Sequence, residues 1–301
     1  MKVLIAYDDS ECARTALEDL KNAGLPAETE AVVLMVTENW SLIFEEQEKE
    51  LPPEQRGEYP TPLEIKRIRE RAHAEFAETE KLVKGVAGRL QTDFPSWEIR
   101  GEAMPGFAHW SVLEKAGEWK PDLIVVGSHG RNFVGRLVLG SSSLKILTES
   151  PCSVRVARLS PARTPDDDSP QRIVIGFDGS NDSMLAVESV AKRRWRQDSA
   201  VRLVSAVEPF LAITPGFEVD LRKIEESRNS AVRELEAAGL HVSTDVRVGE
   251  PKNILIEEAE TWGADAIFIG ARGHRLMERI LLGSVSYAVA ARADCSVEVV
   301  R

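Results

Sequence analysis

One stretch of this chain occurs twice. PDLIVVGSHGRNFVGRLVLGSSS, from Pro121 to Ser143, is answered by ADAIFIGARGHRLMERILLGSVS, from Ala264 to Ser286. Three glycines keep their places, Gly127, Gly130 and Gly140 against Gly270, Gly273 and Gly283, while Gly135 is answered by Glu278. In each copy a short unbroken apolar run reads as a strand buried on both faces of a parallel sheet. A glycine-spaced loop follows, and then a segment with apolar residues at helical spacing. One such loop is an ordinary strand-to-helix connection; its repetition at identical spacing points to two copies of one architecture. Glycine lets backbone approach a ligand closely, and a helix opening at Gly140 or Gly283 presents unpaired N–H groups to an anion.

The rest of the chain repeats around it. VLIAYDDS (Val3 to Ser10) matches IVIGFDGS (Ile173 to Ser180), and VVLMVTE (Val32 to Glu38) matches RLVSAVE (Arg202 to Glu208). Lys2 to Tyr7 reads as a first strand, with Ser10 as N-cap of the helix that follows. Ala31 to Val36 reads as a second strand, Thr61 to Leu90 as a helix, and Trp97 to Arg100 as a third strand. Pro105 suits the first turn of the next helix, and Ser153 to Arg158 makes a fifth strand. Alternating strands and helices predict an α/β chain of two tandem doubly wound parallel five-stranded sheets. The expected domains are residues 1–158 and 171–301, joined by a Pro-rich acidic linker at 159–170. The last strand of each half, Ser153 to Arg158 and Ser296 to Val300, would leave an unpaired edge, so the halves are expected to pair there as a pseudo-twofold dimer. The acidic stretch Glu38 to Pro62 reads as a surface insertion, with a lid over the ligand as the other reading.

Composition narrows the function. A length of 301 residues suits two domains, and a formal net charge of −11 argues against a nucleic-acid partner held by a broad basic surface. No apolar run approaches bilayer length and no secretory h-region follows Met1, so a cytoplasmic protein without a membrane partner is expected. Of three cysteines, Cys152 and Cys295 occupy matched places and are given no chemistry. The histidines show no metal-ligand spacing.

In a doubly wound sheet, ligands bind beyond the carboxyl ends of the strands where the winding reverses. Three pieces of each copy converge there: Asp8 or Asp178, Val36 or Ala206, and the glycine loop. They suit an adenosine polyphosphate, with an apolar wall for the base, a carboxylate for ribose hydroxyls or the amino group, and N–H groups with serines for phosphates. Neither loop is a Walker A or a G-x-G-x-x-G sequence. Arg272, between Gly270 and Gly273, is read as aimed at phosphate, with His129 in the equivalent place.

Gly-x2-Gly-x9-Gly-Ser instead resembles the nucleotide signature of the ATP-binding branch of the universal stress protein family, over nearly the whole chain. The resemblance implies an adenine nucleotide alpha hydrolase-like fold. It implies ATP, with Mg or Mn on its phosphates, contacting Asp8, Val36, Gly127, Gly130, Gly140 and Ser141 in the first copy. In the second it implies Asp178, Ala206, Gly270, Gly273, Gly283 and Ser284; Ser142 and Val285, next along the two helices, complete the set. It further implies a nucleotide-dependent stress regulator that pairs its own halves, with a homodimer also open.

Two departures single out the first copy. Asp9 stands where the second has Gly179, and Ala103 is read where it has Gly249. Because Asp9 brings a carboxylate toward the phosphates and Arg272 offers them a charged hydrogen bond where the first copy has His129, the second site is expected to bind more tightly. The rival readings are an ATP-hydrolysing or nucleotidyl-transferring enzyme of the same superfamily and an interaction module with vestigial sites. S-G-G-x-D-S and H-x-G-H motifs are absent, and no positioned general base is visible, so at most slow hydrolysis is expected.

Overall fold

A computed structural model describes residues 1–39, 63–129, 139–160, 169–207, 217–273 and 282–301, with 63–65 and 217–223 described by backbone alone. The first half runs β1 (Lys2–Tyr7), α1 (Glu11–Asp19), β2 (Glu30–Thr37), α2 (Leu63–Asp93), β3 (Glu98–Pro105), α3 (Ala108–Trp119), β4 (Leu123–Gly127), α4 (Ser141–Glu149) and β5 (Ser153–Ala157). The second repeats it as β6 (Arg172–Gly176), α5 (Asn181–Ala191), β7 (Ala200–Val207), α6 (Phe217–Ala237), β8 (His241–Val248), α7 (Pro251–Trp262), β9 (Ala266–Gly270), α8 (Ser284–Arg292) and β10 (Ser296–Val300). Most of the acidic stretch after Glu38, and linker residues 161–168, lie outside the described residues.

The two expected sheets join into one of ten strands, ordered β3-β2-β1-β4-β5-β10-β9-β6-β7-β8. Neighbours run parallel within each half, and the only antiparallel pair among the described strands is β5 with β10, in the register Val297↔Val156, Glu298↔Arg155, Val299↔Val154. The fifth strands therefore meet as the sequence leads one to expect. In each half the order reverses between the first strand and the fourth, which places a switch point beside Tyr7 and Gly127 and another beside Phe177 and Gly270.

Strand periodicity sorts the faces of the seam. Val154, Val156, Val297 and Val299 point into one apolar cluster that runs across both halves. The alternate residues, Arg155 and Glu298, point to the other face, where the apolar clusters of the two halves are separate. Between those clusters lies a buried ionic group. Arg155 donates to Asp19 through Nε at 2.5 Å and Nη2 at 2.9 Å, and to Glu298 through Nη1 at 3.5 Å. Arg193 pairs with Glu298 and also donates across the seam to the Ala23 carbonyl at 2.8 Å.

The local start signals behave as their chemistry requires. Ser10 Oγ accepts from Ala13 N at 3.1 Å and Ser180 Oγ from Ser183 N at 3.2 Å, each capping a helix that begins one residue later. Ser10→Ala and Ser180→Ala are each expected to lower stability by about 1 kcal/mol, read as an earlier urea midpoint at unchanged slope.

The third strand corrects the sequence reading. It extends to Pro105, which pairs with Thr37 as the last strand residue rather than opening a helix. A proline without N–H is admissible there because β3 is an edge strand. Helix α3 starts at Ala108 after Gly106, whose φ of +147° matches the +151° of Gly249. Gly106, and not Ala103, is thus the counterpart of Gly249, and the first half lacks no glycine at that turn.

Candidate functional site

Both switch points are built alike. Asp8 follows β1, and its Oδ1 accepts from Ser10 N at 3.0 Å; Asp178 follows β6 and accepts from Ser180 N at the same distance. This bond fixes each carboxylate at the mouth of the turn. Val36 and Ala206, at the ends of β2 and β7, are half-buried and packed against the shared apolar cluster.

The three loop glycines do different work. A Cβ on Gly127 would stand 2.8 Å from the carbonyl carbon of Cys12, and one on Gly270 2.5 Å from that of Asp182. These first glycines exist so that the opening turn of α1 or α5 can sit directly on the strand end. The second glycine is Gly130, outside the described residues, and Gly273, where a Cβ would come within 2.8 Å of Asp178 Oδ2. Gly273 thus brings the loop to the carboxylate. The third glycine is the N-cap: Gly140 N donates to the Ser128 carbonyl and Gly283 N to the Ala271 carbonyl, both at 2.8 Å. No side chain caps α4 or α8, so the amides at Ser141–Ser142 and at Ser284–Val285 lie at uncapped helix starts.

Sequence reasoning missed one pair of residues that complete this architecture. Ser143 Oγ donates to the Gly127 carbonyl at 2.8 Å and Ser286 Oγ to the Gly270 carbonyl at 2.7 Å, tying each helix start to the end of its central strand. The signal was present, since a serine stands three residues after the third glycine in both copies.

The residues that set the two halves apart are engaged locally. Asp9 adopts φ +61°, the left-handed conformation that Gly179 takes at +79°. Its Oδ1 accepts from Tyr7 OH at 2.9 Å and from Arg14 Nη1 at 3.0 Å, so an arginine already balances its charge. Burial, and then the hydrogen bond to Asp9, raises the Tyr7 phenol above its ordinary value. Arg272 donates to Asp182 Oδ2 through both its backbone N and its Nε, each at 3.0 Å. His129 is buried with Nδ1 3.2 Å from Ser128 Oγ. Burial, and then the positive charge of Arg158, pulls its pKa down and favours the neutral ring. The tighter second site expected from Asp9 and Arg272 therefore loses both of its simplest electrostatic supports.

Among the described residues no group of three His, Cys, Asp or Glu side chains is arranged to hold a metal, and no helix is long and apolar enough to cross a membrane. The arrangement offers oxygen donors at each turn, apolar flanks, and uncapped amides at two helix starts.

The comparisons agree with this architecture. A family model described as the Universal stress protein family matches residues 108–158 and 170–301. Universal stress protein A homolog 2 of Coxiella burnetii is 31% identical over 138 residues, which is 43% of this chain and 92% of that protein. A universal stress protein of Methanocaldococcus jannaschii is 33% identical over 140 residues, covering 44% of this chain and 82% of its own. The crystal structure of a universal stress protein from Archaeoglobus fulgidus superposes with a TM-score of 0.61 at 19% identity, over 99% of this chain and 98% of that one, a likeness of fold. With the same strand–loop–helix site built in both halves of a single sheet, the chain belongs to the universal stress protein family as a tandem member.

Proposed function

We propose that the chain binds ATP, carrying Mg or Mn on its phosphates, at both switch points and acts as a stress regulator through the bound state. The observation that carries this reading is the arrangement found at both switch points, a fixed carboxylate after the first strand and an uncapped helix start after the loop, with a loop glycine brought against the carboxylate in the second half. Gly273 beside Asp178 is the described instance: any side chain there would fill the space. Such a cradle suits a nucleotide, whose phosphates take the amides of Ser141, Ser142, Ser284 and Val285. Asp8 and Asp178 suit ribose hydroxyls or the adenine amino group, and Val36 and Ala206 the flat face of the base. The cation would be a hard ion that needs oxygen donors, which the nucleotide's phosphates would supply.

Serines and amides hold phosphate without activating water, so binding without rapid turnover is expected. The test is mass spectrometry of ligand released on denaturing freshly purified protein, followed by thermal unfolding with Mg-ATP. At a hundredfold excess over Kd the nucleotide should stabilise the protein by about 2.7 kcal/mol. No released adenine nucleotide and no stabilisation would sink the reading, and sustained turnover on the order of 1 per second would make the protein an enzyme.

A further inference from the structure

Each loop helix is closed at its far end by the other half of the chain. Arg158, one residue beyond β5, reaches across the seam, where Nη2 donates to the carbonyls of Ala290 at 2.8 Å and Ala291 at 3.5 Å in α8. Arg301, one residue beyond β10, returns the contact to α4. Its Nη2 donates to the carbonyls of Leu147 at 2.6 Å and Thr148 at 3.5 Å, and its Nη1 to that of Cys152 at 3.3 Å. The main chain repeats the exchange, with Arg158 N donating to Ser296 Oγ at 3.0 Å and Arg301 N to Ser153 Oγ at 3.2 Å. The two arginines are related by the same separation that relates Gly127 to Gly270, so this is one contact made twice.

The helices involved are the two whose N-termini form the candidate site. Each has nine residues, or about 13 Å at 1.5 Å per residue, too short to bend appreciably between its ends. The last carbonyls of a helix lack internal partners and carry the negative end of the dipole. A guanidinium placed there satisfies them and fixes the axial position and rotation of the whole helix. Each arginine also interacts electrostatically with its own loop. The charge of Arg158 acts on His129, and that of Arg272 adds to burial in pulling the Arg301 guanidinium below its ordinary value. His129 and Arg272 hold equivalent places between the first and second loop glycines.

We propose that Arg158 and Arg301 are positioning residues exchanged between the halves, Arg301 setting the loop helix of the first site and Arg158 that of the second. Neither site is complete without the opposite half. The consequence for ligand affinity rests on the nucleotide reading above; the exchange itself does not.

Hydrogen exchange read by mass spectrometry on the full chain, with and without Mg-ATP, separates the two helices. Arg301→Gln should speed amide exchange in α4 and weaken ATP protection there, each by roughly three- to tenfold, while α8 stays as in the parent. Arg158→Gln should do the reverse, and Arg301→Lys, keeping the charge without the fork, should recover part of the α4 protection. The lysine variant also carries the test should a glutamine variant fail to fold. Faster exchange confined to the half that bears the substitution, equal effects on both helices, or no effect would overturn the proposal. A crossed pattern in nucleotide-free protein together with no ATP protection in the parent would uphold the exchange and discard the nucleotide.

Discussion

Arg155→Ala should lower the unfolding free energy by about 3–5 kcal/mol, the range for breaking a buried ion pair by removing one partner. The Arg155 side chain is fully buried, its guanidinium lies 6.0 Å from the Phe268 ring, and it is shared between Asp19 and Glu298. Burial works against its charge, but Asp19 and then Glu298 outweigh that effect and hold the guanidinium above its ordinary pKa. Truncation leaves a buried Asp19 with the Ser296 hydroxyl at 2.7 Å and leaves Glu298 to Arg193. Because the pair Glu298↔Arg155 sits at the centre of the seam, both halves should lose stability together. Urea unfolding followed by circular dichroism checks this, and a loss below about 1 kcal/mol, the value for an exposed pair, would show that the cluster is solvated.

Gly270→Val should be nearly as damaging, at about 3 kcal/mol, the upper end for overpacking a filled site. The new Cβ would lie 2.5 Å from the carbonyl carbon and 2.6 Å from the carbonyl oxygen of Asp182, and backbone in the first turn of α5 has nowhere to retreat. Gly127→Val meets Cys12 at 2.8 Å in the same way. Gly117 is the control: it lies inside α3 with nothing within 4 Å of its Cβ position, so Gly117→Ala should be stabilising by up to about 1 kcal/mol. Thermal unfolding of the three variants gives the order directly. Equal melting temperatures would mean that α1 and α5 can slide off the strand ends. Any loss of ligand in the two valine variants then reports the fold and not a contact, so substitutions at Ser141 and Ser284 are the cleaner probes of binding.

The repeated strand–loop–helix, the caps at Ser10 and Ser180 and the meeting of the fifth strands were legible because each is a local pattern stated twice. The buried charges were not. Arg155 and Glu298 sit in SVRVA and SVEVV, where alternation puts them opposite the valines, but a charge on an alternating strand ordinarily marks the wet face. Only the meeting of the halves, which sets Glu298 and Arg193 against Arg155 and Asp19, makes that face interior. Pro105 misled for a different reason: Pro251 opens α7, and carrying that role over shifted the expected helix start three residues early and made Ala103 the counterpart of Gly249. The Arg272–Asp182 pair joins residues 90 apart. It depends on α5 resting on Gly270, which is tertiary packing with no linear signal.

The single antiparallel step at β5 and β10 also gives the molecule two ends. Strands of the first half point their carboxyl termini toward one rim of the sheet and those of the second toward the opposite rim. The two switch points therefore open in opposite directions, back to back along the strand axis. The two rims are thus separate faces, as on a coin, each carrying the turn and the loop-helix start of one half.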